Sequence, residues 1–292
     1  MKKSRKKKKS RRAKERQRML LAVLCALFLL IVCVSAWKVY SIQHGYKEAE
    51  RRYDSLADSV VTTAAPADTS SAQSAAASGS ETAEQQPGQQ SETPSEDAAP
   101  AREVSPVSVD FDALRAIGSD VIGWLCLPHT TINYPVAQAR DNEYYLERYI
   151  DGNRISGGTL FADCVCPSDF SGKNTIIYGH NMKDGSMFAL IDDYALQSFY
   201  DQHPVMYLNT PTQNYRIDIF SCFTTEPVSF VYRAVFSSDD DYAEHLRALL
   251  ASSEVSCQVS VSPDDRIVTL STCTYTGADL RFVVCGKLTE IG

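Results

Sequence analysis

The stretch TLSTCTYTGADLRFVVCGKL, residues 269–288, holds two β-branched and apolar runs on either side of a polar loop. Runs of this composition, broken by Gly and Asp, read as two strands joined by a hairpin. The first, 267–272, delivers Cys273 to a strand end; the loop covers 274–280; the second strand, 281–288, begins at Arg281. Such a hairpin can set Arg281 beside Cys273 across the ladder. A thiol works as a nucleophile when it is accessible and supported by positive charge. A guanidinium is a permanently charged donor for a carbonyl oxygen becoming an oxyanion. On spacing alone, an ordinary surface Arg near a core Cys fits equally well.

The same pattern continues outward. Short β-type runs at 131–137, 158–162, 175–178, 205–208 and 215–223 are separated by Gly, Pro, Asn and Asp, so the fold class is mainly β. A short helix is expected over 110–117, with Asp110 as N-cap and Phe111, Leu114 and Ala116 inward. A longer one, 242–251, is capped by Ser237-Ser238-Asp239-Asp240-Asp241. Acids at the positive end of a helix dipole explain that cluster better than a calcium site does. The apolar strand ending at Tyr178 breaks at Gly179 and exposes His180 on a loop. Imidazole exchanges protons near neutrality, although a lone His is more often structural. His44, His129, His203 and His245 lack this strand-to-loop setting.

Toward the amino terminus the composition divides the 292-residue chain into compartments. Residues 1–18 hold twelve Lys or Arg against Glu15, about +11, so the remainder must carry −18 for the whole to reach −7. A basic run also suits nucleic acid or a merely solvated tail. Residues 19–37 contain no charge, and nineteen helical residues reach about 28 Å, close to the thickness of a bilayer core. That reads as a transmembrane anchor, with the basic tail cytoplasmic and the rest outside, and excludes nucleic acid as the expected partner. Val34-Ser35-Ala36 also has the small-residue look of a cleavage site. Residues 38–106, rich in Ala, Ser, Thr, Gln, Glu and Pro from about 55 onward, are expected to form a disordered extracytoplasmic stalk. Order resumes over 107–292, enough for one core. Seven cysteines lie beyond the anchor, an odd number that leaves at least one unpaired within the chain. Cys164 and Cys166 would share one face of a strand, and nothing nearby completes a metal ligand set. Neither metal nor cofactor is expected.

The segments YGHNMKDGSMF (178–188), TLSTC (269–273) and the strand from Arg281, in that order, resemble the catalytic signature of the sortase family. IGWL (122–125), INYPVAQ (132–138), DNEYYL (141–146), GGTLFAD (157–163) and the long helix before the cysteine strand resemble class B sortases in particular. The resemblance covers nearly all of 107–292. It implies a closed, roughly eight-stranded β-barrel with an amino-terminal helix and one long inserted helix. By position it makes Cys273 the nucleophile, His180 the general acid/base and Arg281 the oxyanion and substrate stabiliser. The implied partners are secreted proteins bearing a carboxyl-terminal sorting signal, cleaved after Thr, and an acceptor amine from a lipid II cross-bridge or a pilin lysine. Two rivals stay open here. A papain-like enzyme usually places Cys before His, the reverse of this order; an inactive sortase-like barrel would only bind wall proteins or pilins.

Overall fold

The computed structural model describes residues 2–63, 103–273 and 279–292, with side chains from Met19 onward except at Cys273. Helix α1, Lys2–Val60, is continuous and contains the one stretch among the described residues long and apolar enough to cross a membrane. The expected stalk is corrected at its start. Past residue 37 the helix goes on, and Ala49, Tyr53, Leu56 and Val60 bury against the domain. Their spacing of four, three and four residues makes one helical stripe. The Tyr53 hydroxyl donates to the Gly158 carbonyl at 2.5 Å and sits 3.0 Å from Thr159 Oγ1. Its ring meets Tyr134 and Tyr149 edge-on at 5.2 and 5.1 Å. Strand β1, Val61–Thr63, then pairs antiparallel with β2, Val107–Val109. Residues 64–102 of the expected stalk lie outside the described residues, and its last residues are docked as well: Ser105 is buried and Glu103 pairs with Arg216 at 2.8 Å.

Helix α2, Phe111–Ile117, is capped as expected, the Asp110 side chain accepting from the Asp112 and Ala113 amides. Leu114 is buried and Phe111 half-buried, but Ala116 is exposed. The inward face runs through Leu114, with Phe111 and Ala113 packed beside it, and Ala116 falls on the solvent side of this two-turn helix.

Eight strands close the barrel: β3 (Val121–Cys126), β4 (Asn133–Ala137), β5 (Leu160–Ala162), β6 (Asn174–Tyr178), β7 (Val205–Asn209), β8 (Asn214–Thr225), β9 (Arg266–Cys273) and β10 (Arg281–Ile291). The order around it is β10-β8-β7-β3-β4-β5-β6-β9, with β9 and β10 paired to complete the ring. The β4–β5 and β6–β9 pairs are parallel and the others antiparallel. Closure leaves no free edge, so each strand end is fixed by neighbours on both sides. β3 was not among the expected strands. Trp124 and Leu125 are both fully buried, so the run shows no in-out alternation to read.

Strand alternation divides the apolar residues into two cores. Val268, Leu270, Phe282 and Val284 join the barrel interior. Ile267, Val283 and Cys285 face outward into a second cluster with Tyr242, Leu246 and Leu249 of the long inserted helix. Between β6 and β7 lies the short α3, Gln197–Gln202, and α4 spans Asp239–Ser252 with Ser238 as its N-cap, close to the expected helix. Cys164 and Cys166 are not on a strand: they sit in a turn, Cys164 exposed and Cys166 buried. The eight cysteines other than Cys273 are free thiols, so the odd count does not single out one of them.

Replacing Tyr53 with Ala removes a buried ring and its hydroxyl bonds, a loss of about 3–5 kcal/mol for a large aromatic. We expect it to undock α1 while the barrel persists, read as new protease cleavage between residues 45 and 60 with little change in the melting of the remainder. Continued protection of that segment would contradict the docking.

Candidate active site

Backbone register assembles the three expected residues. β6 and β9 run parallel with Tyr178 beside Ser271, and the Gly179 amide extends the ladder to the Ser271 carbonyl at 3.1 Å. Two residues beyond each member of that pair stand His180 and Cys273. On the other side, Cys273 is the direct antiparallel partner of Arg281. Residues 93 positions apart, 180 and 273, thus reach one end of adjacent strands, and Arg281 joins them from the third.

Gly179 makes the turn possible by its size. A Cβ there would lie 2.5 Å from both Leu160 Cδ2 and Phe188 Cδ2, so no larger residue fits between β6 and the loop. The loop is pinned by the Phe188 amide donating to the His180 carbonyl at 2.9 Å. The His180 Nε2 lies 2.8 Å from the Leu146 carbonyl. A carbonyl only accepts, so Nε2 carries the hydrogen and Nδ1 is the nitrogen left to exchange a proton in the neutral ring. Leu146 belongs to a single-turn helix, Tyr144–Glu147, whose start is fixed by Asp141 accepting from the Glu143 and Tyr144 amides.

His180 and Arg281 line one surface cleft of about 300 Å³. Tyr178 and Ser271, outward-facing residues of β6 and β9, line it too, together with Leu146 and Tyr232. The Tyr178 hydroxyl donates to Asp163 Oδ2 at 2.8 Å, and the Tyr232 hydroxyl is 3.0 Å from Ser271 Oγ. Arg281, about a quarter exposed, donates through Nη1 to Asp279 at 2.6 Å and to the Leu280 carbonyl at 3.1 Å.

Tyr232 and Ser271 were not expected as site residues. The segment that holds Tyr232 depends on Asn174, a fully buried amide on β6. Its Nδ2 donates to the carbonyls of Val231 at 3.3 Å and Arg233 at 2.9 Å, and its Oδ1 accepts from Thr269 Oγ1 at 2.9 Å. One side chain therefore ties β6, β9 and the 231–233 segment together. Arg233 in turn donates through Nη2 to both carboxylate oxygens of Asp241, at 2.9 and 2.8 Å. The Ser237 amide and this guanidinium hold the Asp241 carboxyl down at about 2. Residue type alone gives no signal for Tyr232; only the folded hub brings it in.

The remaining thiols outside the apolar span do not line this cleft. Burial pushes Cys285 up to about 12 and Cys126 up to about 11, and raises Cys166 and Cys222. A buried thiol in apolar surroundings stays protonated and inert. Cys257 is lowered by a hydrogen bond from Cys222, and Cys164 is exposed.

A closed barrel whose cysteine-bearing strand ends between a histidine loop and an arginine strand defines the sortase class of barrel, and the comparisons agree. The family model described as a Sortase domain matches residues 125–289. The chain is 38% identical over 178 residues to sortase B of Listeria monocytogenes, covering 60% of this chain and 72% of that protein. It is 33% identical over 187 residues to sortase B of Staphylococcus aureus, covering 63% and 77%. A solved Staphylococcus aureus sortase B–substrate complex superposes with a TM-score of 0.59 at 33% identity, over 62% of this chain and 85% of that one. The chain belongs to the sortase family, cysteine transpeptidases that sort proteins to the cell wall, and these relatives are class B members.

Behind the histidine loop, Asn181 Nδ2 donates to Asp192 Oδ2 at 2.6 Å, while Asp192 Oδ1 is buried and meets no donor among the described residues. Desolvation raises Asp192 to about 6, against the bond from Asn181 that lowers it. The folded state therefore binds this proton more tightly than the unfolded chain, and ionisation costs stability as pH rises through about 4 to 6. Asp192→Asn should raise the melting temperature by about 2–4 °C near pH 7.5 and change it little near pH 4, measured by differential scanning fluorimetry at both. A lower melting temperature near pH 7.5 would contradict the assignment.

Proposed function

We propose that the chain is a class B-like sortase that cleaves a carboxyl-terminal sorting motif after Thr and joins the product to a cell-wall precursor amine. The observation that carries the reading is the register that stands His180 alongside Cys273 and Cys273 opposite Arg281, at a cleft lined by His180 and Arg281. The solved substrate complex of Staphylococcus aureus sortase B supports a sorting-signal peptide as the first substrate.

In this reading the Cys273 sulfur attacks the Thr carbonyl carbon, and the oxygen takes negative charge beside the Arg281 guanidinium. The C–N bond breaks as His180 gives its proton to the leaving amine, and a thioester remains on Cys273. An incoming amine then attacks the same carbon, its extra proton passes to His180, and Cys273 leaves as thiolate. The imidazole can serve both steps because its Nε2–H is held by Leu146, leaving Nδ1 to exchange. The apolar stretch of α1 anchors the enzyme in a Gram-positive membrane with residues 1–18 cytoplasmic and the barrel outside. Tethering keeps enzyme, secreted protein and lipid-linked amine at one surface, which raises their effective concentration.

Cys273→Ala should abolish the thioacyl adduct seen by mass spectrometry with a Thr-containing sorting-motif peptide, and Cys285→Ala should keep it. An adduct on the Cys273→Ala protein would overturn the nucleophile assignment. Arg281→Lys keeps the charge but loses the planar fork, and turnover should fall by about 10²–10³. Near-normal turnover would reduce Arg281 to a structural role.

A further inference from the structure

Away from the cleft, two thiols meet. Cys222 stands on β8 opposite Val284 and is fully buried, and Cys257 lies half-buried in the segment that follows α4. Backbone bonds fix the two segments to each other at that point. The Glu254 amide donates to the Cys222 carbonyl at 2.8 Å, and the Cys222 amide donates to Ser253 Oγ at 3.1 Å. On the far side of Cys257, the Gln258 amide donates to the Tyr200 hydroxyl at 3.3 Å, and that hydroxyl donates to the Ile219 carbonyl of β8 at 3.4 Å. Across this junction the Cys222 thiol donates to the Cys257 sulfur. Hydrogen bonds, that from Cys222 foremost, hold Cys257 below the ordinary thiol range, while burial pushes Cys222 up. Neither thiol lines the cleft, but Pro227 and Tyr232, carried by the chain between them, do.

A reachable thiol backed by a buried one has the parts of a disulfide that forms in two exchanges. We propose that Cys222 and Cys257 form a reversible disulfide when the domain meets a low-molecular-weight disulfide, fastening the segment that carries Tyr232 to β8. The inference goes beyond the transpeptidase reading and does not depend on it. Outside a membrane such bonds persist. Cys257, as thiolate, attacks one sulfur of the small disulfide and expels the other as a thiolate. Cys222 then attacks the Cys257 sulfur of the mixed disulfide and expels the second thiolate. The S–S bond of the oxidant breaks and one forms in the protein; the two protein thiols are oxidised, the small disulfide is reduced, and both thiol protons end on the two small thiols. Cys285 is the third thiol nearby, but it faces the outer cluster, 3.7 Å from Thr269 Oγ1. The bond closes residues 222–257, with α4 among them, into a loop, and a cross-link of this kind stabilises mainly by restricting the unfolded chain.

The test treats the full chain in lipid nanodiscs with glutathione disulfide, blocks the remaining thiols with iodoacetamide, and digests without reductant for mass spectrometry. A peptide pair joined through Cys222 and Cys257 is expected, with glutathione on exposed Cys164 as the sign that the oxidant acted. Absence of that pair while Cys164 carries glutathione, or a Cys257–Cys285 link in its place, overturns the proposal. Cys222→Ala should trap glutathione on Cys257, and Cys257→Ala should leave Cys222 unmodified; glutathione on Cys222 in the latter variant contradicts the order of attack. Oxidation should raise the melting temperature by about 4–12 °C, a shift that Cys257→Ala removes. Cys257 is half-buried, so this variant spares the core and its result stands even if Cys222→Ala unfolds. Equal melting of the linked and reduced forms overturns the fastening.

Discussion

The parallel ladder between β6 and β9 is the constraint on which the site depends. Its pairs run from Asn174 beside Ile267 to Tyr178 beside Ser271, and it joins a histidine loop to a cysteine strand encoded far apart. Parallel strands need a long crossover, and here the intervening chain supplies β7, β8 and α4 before returning as β9. The ladder is also anchored sideways. Buried Asn174 satisfies its amide with partners on β9 and on the 231–233 segment, so losing it would orphan several buried groups at once. The barrel interior supplies stability, and the outer faces of the same strands supply lining residues of the cleft.

A second consequence concerns the tether. With α1 helical through Val60 and docked by Tyr53, the low-complexity segment is not what separates the apolar stretch from the barrel. Across that segment, Thr63 before it and Val107 after it pair with each other in the β1–β2 ribbon. From Trp37 to Tyr53 a helix rises about 24 Å. A docked helix of that length fixes orientation as well as distance, whereas a flexible stalk would fix only the maximum reach. Tyr134 strengthens the link inward: it packs on Tyr53 and its hydroxyl accepts from the Met187 amide, one residue before Phe188 binds the His180 carbonyl.

The sequence was most legible where structure is local. The hairpin from β9 to β10 placed Cys273 and Arg281 together because their approach needs only one turn. His180 was legible because Gly179 ends an apolar strand in a recognisable way. The helix stripe at Ala49, Tyr53, Leu56 and Val60 was missed because four inward residues in a polar run do not change its composition. β3 was missed for the opposite reason, since a strand buried on both faces has no alternation. Cys164 and Cys166 were placed on a strand that ends at Ala162, where a turn begins instead. Tyr232 and Ser271 emerge only from long-range packing around Asn174.

The central claim is that one strand register brings a thiol, an imidazole and a guanidinium to the same acyl carbon. A crystal structure of the chain covalently trapped with a thiol-reactive sorting-motif peptide tests it most directly. The account predicts continuous density from Cys273 Sγ into the cleft over Tyr178 and Ser271. Arg281 should then lie about 3 Å from the trapped carbonyl oxygen, with His180 Nδ1 turned toward the leaving-group side. An adduct on another thiol, or Arg281 and His180 both turned away from the trapped carbon, would contradict it.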